Sequence, residues 1–210
     1  MKICLPVLRT QLSKQQRNMN DLQLFECNNL VIGYSSPLAT GINMKIPRGK
    51  IMFIKGKNGS GKSTLIHTLL GKLKPLDGNF KWLVERSSIS YLPQITNPNS
   101  SFSFTIKEIL DLYEIDENIR KKLPLDLEKK KWINASGGEK QKVMLLSRLT
   151  KDTKVLILDE PFNHLDQDSV KSVSDLLINI IKENQLGVLL VSHLDIELPE
   201  GLGQILELKQ

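Results

Sequence analysis

The stretch Gly56-Lys57-Asn58-Gly59-Ser60-Gly61-Lys62-Ser63, followed by Thr64, decides how the chain is read. It fits the G-x-x-x-x-G-K-[ST] pattern of a phosphate-binding loop. The apolar run Ile51-Met52-Phe53-Ile54 leads into it as a buried strand. Leu65-Ile66-His67-Thr68-Leu69-Leu70 leaves it as a helix that Gly71 stops. Glycines at these positions let the backbone curl, so that successive N–H groups converge on one anion at the positive end of the helix. Lys62 then reaches the terminal phosphates of a nucleotide, and the Ser63 hydroxyl is placed to ligate Mg²⁺.

Outward from that loop, strand and helix signals alternate. Toward the N-terminus, Leu22 to Ile46 reads as short strands, with Gly33-Tyr34-Ser35-Ser36-Pro37 as a turn and Ile42, Met44 and Ile46 on one face. Lys74-Pro75-Leu76-Asp77-Gly78 predicts a tight turn before a hairpin arm at Phe80 to Val84. Ile89-Ser90-Tyr91-Leu92 reads as a strand ending at Pro93-Gln94. Ile95 to Ser103, rich in Asn, Ser and Pro, reads as a hinge loop. Thr105 and Glu108 have capping-box spacing ahead of Ile106, Ile109, Leu110 and Tyr113, and Ser136 and Glu139 repeat that spacing before a second helix. Val155 to Leu158 and Val188 to Val191 are wholly apolar, as strands buried on both faces of a parallel sheet are. A helix from about Gln167 to Glu183 separates them, and Gln204 to Leu208 predicts a last strand.

The predicted fold is therefore α/β: a P-loop NTPase core with a mostly parallel sheet, an N-terminal antiparallel β subdomain and a compact inserted α-helical subdomain at about 104–135. Residues 1–21 are expected to form a basic arm, whose first twenty residues carry Lys2, Arg9, Lys14 and Arg17 without an acid, and 22–210 the ATPase domain. The net charge of +6 is compatible with a nucleic-acid or anionic-membrane partner, but without a basic stripe interleaved with aromatics it reads as a solvated surface. No apolar run approaches the ~20 residues of a membrane span. Cys4 and Cys27 have no metal-like spacing and are expected to be reduced.

Ligands of open α/β sheets sit beyond the carboxyl ends of the strands. Three such ends carry reactive side chains: Lys62 and Ser63, Asp159 and Glu160, and His193. Asp159 is placed to hold Mg²⁺, and Glu160 is free to take a proton from an attacking water.

Taken together and in order, the phosphate loop, Gln94, Ser136-Gly137-Gly138-Glu139, Val155 to Pro161, Leu165-Asp166 and His193 resemble the ATPase subunit of ATP-binding cassette (ABC) transporters. The resemblance implies ATP and Mg²⁺ as cofactors and assigns ATP contacts to Gly56, Lys57, Asn58, Gly59, Ser60, Gly61, Lys62, Ser63 and Thr64. It gives Tyr34 the adenine stack. Gln94 becomes the hinge glutamine that touches Mg²⁺ and the attacking water, beside Ser63 and Asp159 as metal ligands, and His193 the switch near the γ-phosphate. Glu160, His193 and Gln94 are then the catalytic set. Ser136, Gly137, Gly138 and Glu139 match the signature that grips the γ-phosphate of a partner subunit, and Asp166 the residue that communicates across the dimer. Taken alone, Tyr34 also fits a surface turn and His193 an ordinary loop. The chain departs from the family pattern at Ala135 and at Glu139, where glutamine is commonest.

The implied partners are a transmembrane permease subunit and a second ATPase subunit, identical or not, at the cytoplasmic face of the membrane. Phe102, Phe104, Ile106 and Leu112 are candidates for the permease-docking surface. Export of a peptide, antibiotic or lipid is favoured slightly over import, because the chain is compact. The rival reading is a soluble cassette protein acting on ribosomes. The Pro161 to Asp166 stretch resembles such factors, but those carry two cassettes joined by a charged linker.

Overall fold

The computed structural model describes residues 23–94, 103–194 and 196–208. The basic arm, Cys4, Phe102 and most of the predicted hinge loop lie outside the described residues. Two sheets organise the rest. One is antiparallel, in the order β2-β1-β4, and the other is parallel, in the order β5-β6-β7-β3-β8.

The antiparallel sheet comprises β1 (Gln23–Gly33), β2 (Pro37–Pro47) and β4 (Asp77–Trp82). The predicted short strands before the turn are one continuous strand. What looks like an interruption at Asn28-Asn29 is a bulge: Asn29 takes φ 48° and the register with β2 shifts between Cys27 and Leu30. A polar residue tolerates that left-handed turn where a β-branched one would not, and its N–H donates to Asn43 Oδ1 at 2.9 Å. The predicted hairpin arm β4 pairs antiparallel with β1 rather than with a sequence neighbour.

The parallel sheet contains β3 (Ile51–Lys55), β5 (Ile89–Leu92), β6 (Val155–Asp159), β7 (Gly187–Ser192) and β8 (Gly203–Glu207). Successive side chains point to opposite faces, and the two faces build two cores. Ile51, Phe53, Leu156, Leu158, Val188 and Leu190 pack with the helices α4 (Gly137–Leu146) and α5 (Gln167–Asn184). Met52, Ile54, Val155, Ile157, Leu189 and Val191 pack with α1 (Lys62–Leu69) and the antiparallel sheet. Burial on both faces is why these strands are apolar without alternation.

Between β5 and α4 the chain forms α2 (Ile106–Leu112), α3 (Glu117–Arg120) and two 3-10 turns. The capping box of Thr105 and Glu108 is formed. Ile106, Leu110, Leu123, Leu127 and Trp132 belong to the same core as the helical face of the sheet, so this segment is continuous with the main core. The docking surface read from the sequence is corrected here. Ile106 is fully buried as the first residue of α2, whereas Phe104 and Leu112 are 52 % and 78 % exposed.

Candidate nucleotide site

Parallel register aligns the strand ends: Lys55 pairs with Ser192, and Asp159 with Val191. The loops that follow β3, β6 and β7 therefore open on one edge. There they surround a cleft of about 440 Å³, lined by Leu38, Asn58, Gly59, Gly61, Lys62, Ser63, Thr64, Gln94, Glu160, Asn163 and His193. That volume lies within the roughly 300–1,000 Å³ typical of small-molecule sites.

The loop itself has the curvature its sequence predicts. Gly59 and Gly61 take φ 86° and 91°, a region that L side chains avoid. Gly61 is the N-cap of α1 and offers no side-chain cap, and the first turn of the helix has no acid. The leading N–H groups of α1 are thus left for an external acceptor, the arrangement that binds phosphate. The Ser60 hydroxyl is buried beneath the loop without a hydrogen-bond partner.

Lys62 is buried, and its ammonium donates to the Gly56 and Lys57 carbonyls at 2.7 and 3.1 Å. The Glu160 carboxylate lies 3.5 Å from that ammonium through Oε1. Its Oε2 accepts from the His193 backbone N–H at 3.2 Å and lies 2.9 Å from His193 Nδ1. Glu160 takes φ 49°, and its N–H donates to the Val191 carbonyl at 2.8 Å. This turn sends its side chain into the cleft while the preceding Asp159 stays in the strand. Lysine, glutamate and histidine from three separate strand ends thus form one chain of contacts on the cleft floor.

Asp159 is buried and accepts a hydrogen bond from the Tyr91 hydroxyl at 3.2 Å. Burial pushes its carboxyl above the ordinary value, while the Tyr91 hydrogen bond and the Lys62 and His67 charges act in the other direction. The Tyr91 phenol is pushed up to about 12, first by burial and then by the Asp159 charge, which keeps it a donor. Among the described residues no three His, Cys, Asp or Glu side chains converge as a metal cluster. A magnesium ion here has to combine few protein oxygens with water and substrate phosphates, the ligand set that Mg²⁺ prefers. The Ser63 hydroxyl in the cleft wall and the Asp159 carboxylate at the end of β6 fit that requirement.

Other sequence-predicted residues lie elsewhere. Tyr34 is 64 % exposed in the bend between β1 and β2 and is not among the residues lining the cleft. Gly56 and Lys57 line a neighbouring opening with Lys55, Asn58, His193 and Glu207. Ser136 is the N-cap of α4 and shares a complete capping box with Glu139. It, Gly137, Gly138 and Glu139 do not line the cleft, nor does Asp166, the N-cap of α5. Asp166 accepts from Ser169 N–H at 2.8 Å, which holds its carboxyl below the usual range.

Two cleft residues escape the sequence reading. Asn163 sits in the loop between the acidic pair and Asp166, a position that already pointed toward the site. Leu38 carries no sequence signal, since only the pairing of β2 with β1 brings it there.

A parallel sheet with a glycine loop and buried lysine at one strand end, and an acidic pair at another, defines a P-loop nucleotide hydrolase. Residues 39–163 match the profile of the ABC transporter family. The chain is 36 % identical over 179 residues to the Uncharacterized ABC transporter ATP-binding protein YfmM of Bacillus subtilis, covering 81 % of this chain but only 33 % of YfmM. It thus spans about a third of that relative's length. Against the high-affinity zinc uptake system ATP-binding protein ZnuC of Bacillus subtilis it is 30 % identical over 213 residues, covering 90 % of this chain and 92 % of that one. Among solved structures, cbiO1 of Clostridium perfringens, part of the ABC transporter complex cbiONQ, superposes with a TM-score of 0.69 at 29 % identity over 82 % of this chain and 79 % of that chain.

The chain belongs to the ABC transporter family, in the place of its ATP-binding subunit. It is an ATPase of that family, with ATP and Mg²⁺ as its cofactors. The lean toward export is not supported, since the relatives it matches belong mostly to uptake or import systems. No helix among the described residues is long and apolar enough to cross a membrane.

Proposed function

We propose that residues 22–210 form one ABC cassette, with a helical lobe at about 104–135, that two such cassettes clasp ATP head to tail, and that the resulting cycle drives a separate membrane permease. The contact chain Lys62–Glu160–His193 on the cleft floor carries the proposal. It puts a cation where a γ-phosphate would lie and a carboxylate beside it, with no other acid lining the cleft among the described residues.

In this reading the N–H groups of Gly59 to Lys62 hold the β-phosphate. Lys62 exchanges its loop carbonyls for phosphate oxygens. Ser63 and Asp159 would hold Mg²⁺, assisted by Gln94, and the ion supplies charge neutralisation across the phosphate oxygens. Glu160 accepts a proton as a water oxygen bonds to the γ-phosphorus and the bond to the β,γ-bridging oxygen breaks, giving ADP and phosphate. His193 holds Glu160 through Nδ1 and faces the same phosphate. Tyr34, on the exposed bend between β1 and β2, stacks on adenine. Ser136, Gly137 and Gly138 grip the γ-phosphate bound by the other chain, and Asp166 lies where the two chains meet. The match to a zinc uptake ATPase favours import as the direction, and exposed Phe104 and Leu112 offer apolar surface to the permease.

Glu160→Gln is the test. The variant keeps the side chain's shape without its charge, retains ATP affinity, accumulates as an ATP-bound dimer on size exclusion, and loses phosphate release by roughly 10²–10⁴-fold. Turnover near that of the unaltered chain removes Glu160 as the base. Recovery of the protein with ribosomes, and never with a membrane protein, replaces the permease by the soluble alternative.

A further inference from the structure

The signature turn of this chain carries a charge that its role makes costly. Glu139 sits on the first turn of α4, three residues after Ser136, and its Oε2 accepts from the Ser136 backbone N–H at 2.7 Å. This carboxylate occupies the same positive helix end that a phosphate would use. The attraction of a helix N-terminus for one anion is weakened by a second anion already there. A neutral glutamine would make the same capping bond without opposing a triphosphate.

Among the described residues the charge has one close counterion. Lys130 Nζ donates to Glu139 Oε2 at 2.7 Å, and the two side chains are 38 % and 30 % exposed. Lys130 is presented by backbone pairing between the 3-10 turns and the start of α2: its carbonyl accepts from Ile106 N–H at 2.9 Å, beside the Thr105–Lys131 bridge. The adjacent Lys140 does not serve, because its ammonium is turned onto the Trp132 ring, 5.8 Å from the centroid. In the sequence Lys130 is one of three consecutive lysines that read as a solvated run, and the fold gives this one a partner.

We propose that Lys130 is a positioning residue for the signature turn, holding the Glu139 carboxylate in an ion pair so that Ser136, Gly137 and Gly138 can receive the triphosphate carried by a second copy of this chain. The pair is partly exposed in one chain and becomes less hydrated when a second chain closes over it, which strengthens its influence. This inference rests on the head-to-tail reading above, and the experiment separates the two.

ATP-dependent dimerisation is measured by sedimentation velocity in the Glu160→Gln background, with ATP and Mg²⁺ as the probe. Adding Lys130→Ala weakens the dimer roughly tenfold. Adding Glu139→Gln to that variant restores it to within about twofold, because a neutral side chain needs no counterion. Binding of ATP to the monomer is unchanged throughout, since Lys130 does not line the nucleotide cleft.

A purely structural role for Lys130 predicts something else: lower stability in urea and no rescue by Glu139→Gln. Lys130→Gln, closer in length, replaces the alanine variant if that one fails to fold. Equal dimer affinity with and without Lys130, or a loss that Glu139→Gln leaves in place, overturns the inference alone. Absence of any ATP-dependent dimer in the Glu160→Gln parent overturns the head-to-tail reading and this inference with it.

Discussion

Asp159 and Tyr91 show at the residue scale how the fold sets chemistry that side-chain identity does not. Asp159 is polar at the end of a strand buried at every position, and burial raises its pKa above the ordinary value. An acid whose folded pKa is raised costs stability when ionised. That cost is absent below the ordinary carboxylate pKa and complete above the raised one. The Tyr91 hydrogen bond offsets part of it. Tyr91→Phe should therefore raise the Asp159 pKa further and destabilise the protein at neutral pH by about 1.5–3 kcal/mol, the worth of a hydrogen bond to a charged group. The loss should shrink as the pH falls through the Asp159 pKa, because the protonated carboxyl depends less on the donor. Urea unfolding at neutral and acidic pH measures it, and a loss that does not vary with pH contradicts the assignment. Asp159 was legible as a candidate ligand, but Tyr91 was not legible as its partner. The two are far apart in the chain and meet only through the parallel pairing of β5 with β6.

At the scale of elements, the phosphate loop and its flanks were legible because they are local: one strand, one curled turn and one helix, each set by residues in sequence contact. Both capping boxes were legible for the same reason. The packing of α4 on α5 was not. A Cβ added at Gly138 would lie 2.6 Å from Ser169 Oγ and 2.8 Å from Ser169 Cβ, and one at Gly137 would lie 3.2 Å from Leu165 Cδ2. The first turn of α4 is thus seated against the start of α5, and glycine at 138 is required by that close approach as well as by any role in phosphate binding. Gly138→Ala should cost about 1–3 kcal/mol of stability by overpacking. Ser169→Gly in the same chain should recover part of it, less the ~1 kcal/mol that glycine costs a helix. Urea midpoints of the single and double variants decide this, and a neutral Gly138→Ala would mean that the two helices separate without cost. The bulge at Asn28-Asn29 is the converse case. There a local polar pair bulges out of the ladder, and cross-strand pairing carries β1 through it.

For the whole molecule, the decisive geometry is the separation of the signature turn from the nucleotide cleft. Ser136 to Glu139 do not line the cleft that Lys62, Glu160 and His193 share, so under the proposed head-to-tail arrangement one chain by itself completes no clasp. A site assembled from two chains can be complemented in trans. Lys62→Ala removes the phosphate lysine, and Gly137→Glu places a negative charge in the signature. Each variant alone should be inactive. An equimolar mixture should regain roughly a quarter of the unaltered rate, because half of the randomly paired symmetric dimers keep one of two sites intact. Phosphate release from the mixture measures this, and no recovery across a range of mixing ratios contradicts a site shared between chains. The Lys130–Glu139 pair belongs at this scale too, since its effect is expected only when a second chain brings its phosphates to α4.

The amino-acid order alone determined the α/β class, the curled loop with its lysine and serine, the acidic pair after an apolar strand, and the capped starts of α2 and α4. All of these depend on residues within a turn or a strand of one another, where spacing and backbone preference suffice. Tertiary structure alone decided that Glu160 contacts Lys62 and His193, that Leu38 and Asn163 enter the cleft, that Ile106 is core rather than surface, and that one lysine of a charged run neutralises Glu139. Those outcomes depend on which strands lie side by side and how far each helix sits from its neighbour. Such distances are set by the packing of the whole chain, and no local window of sequence contains them.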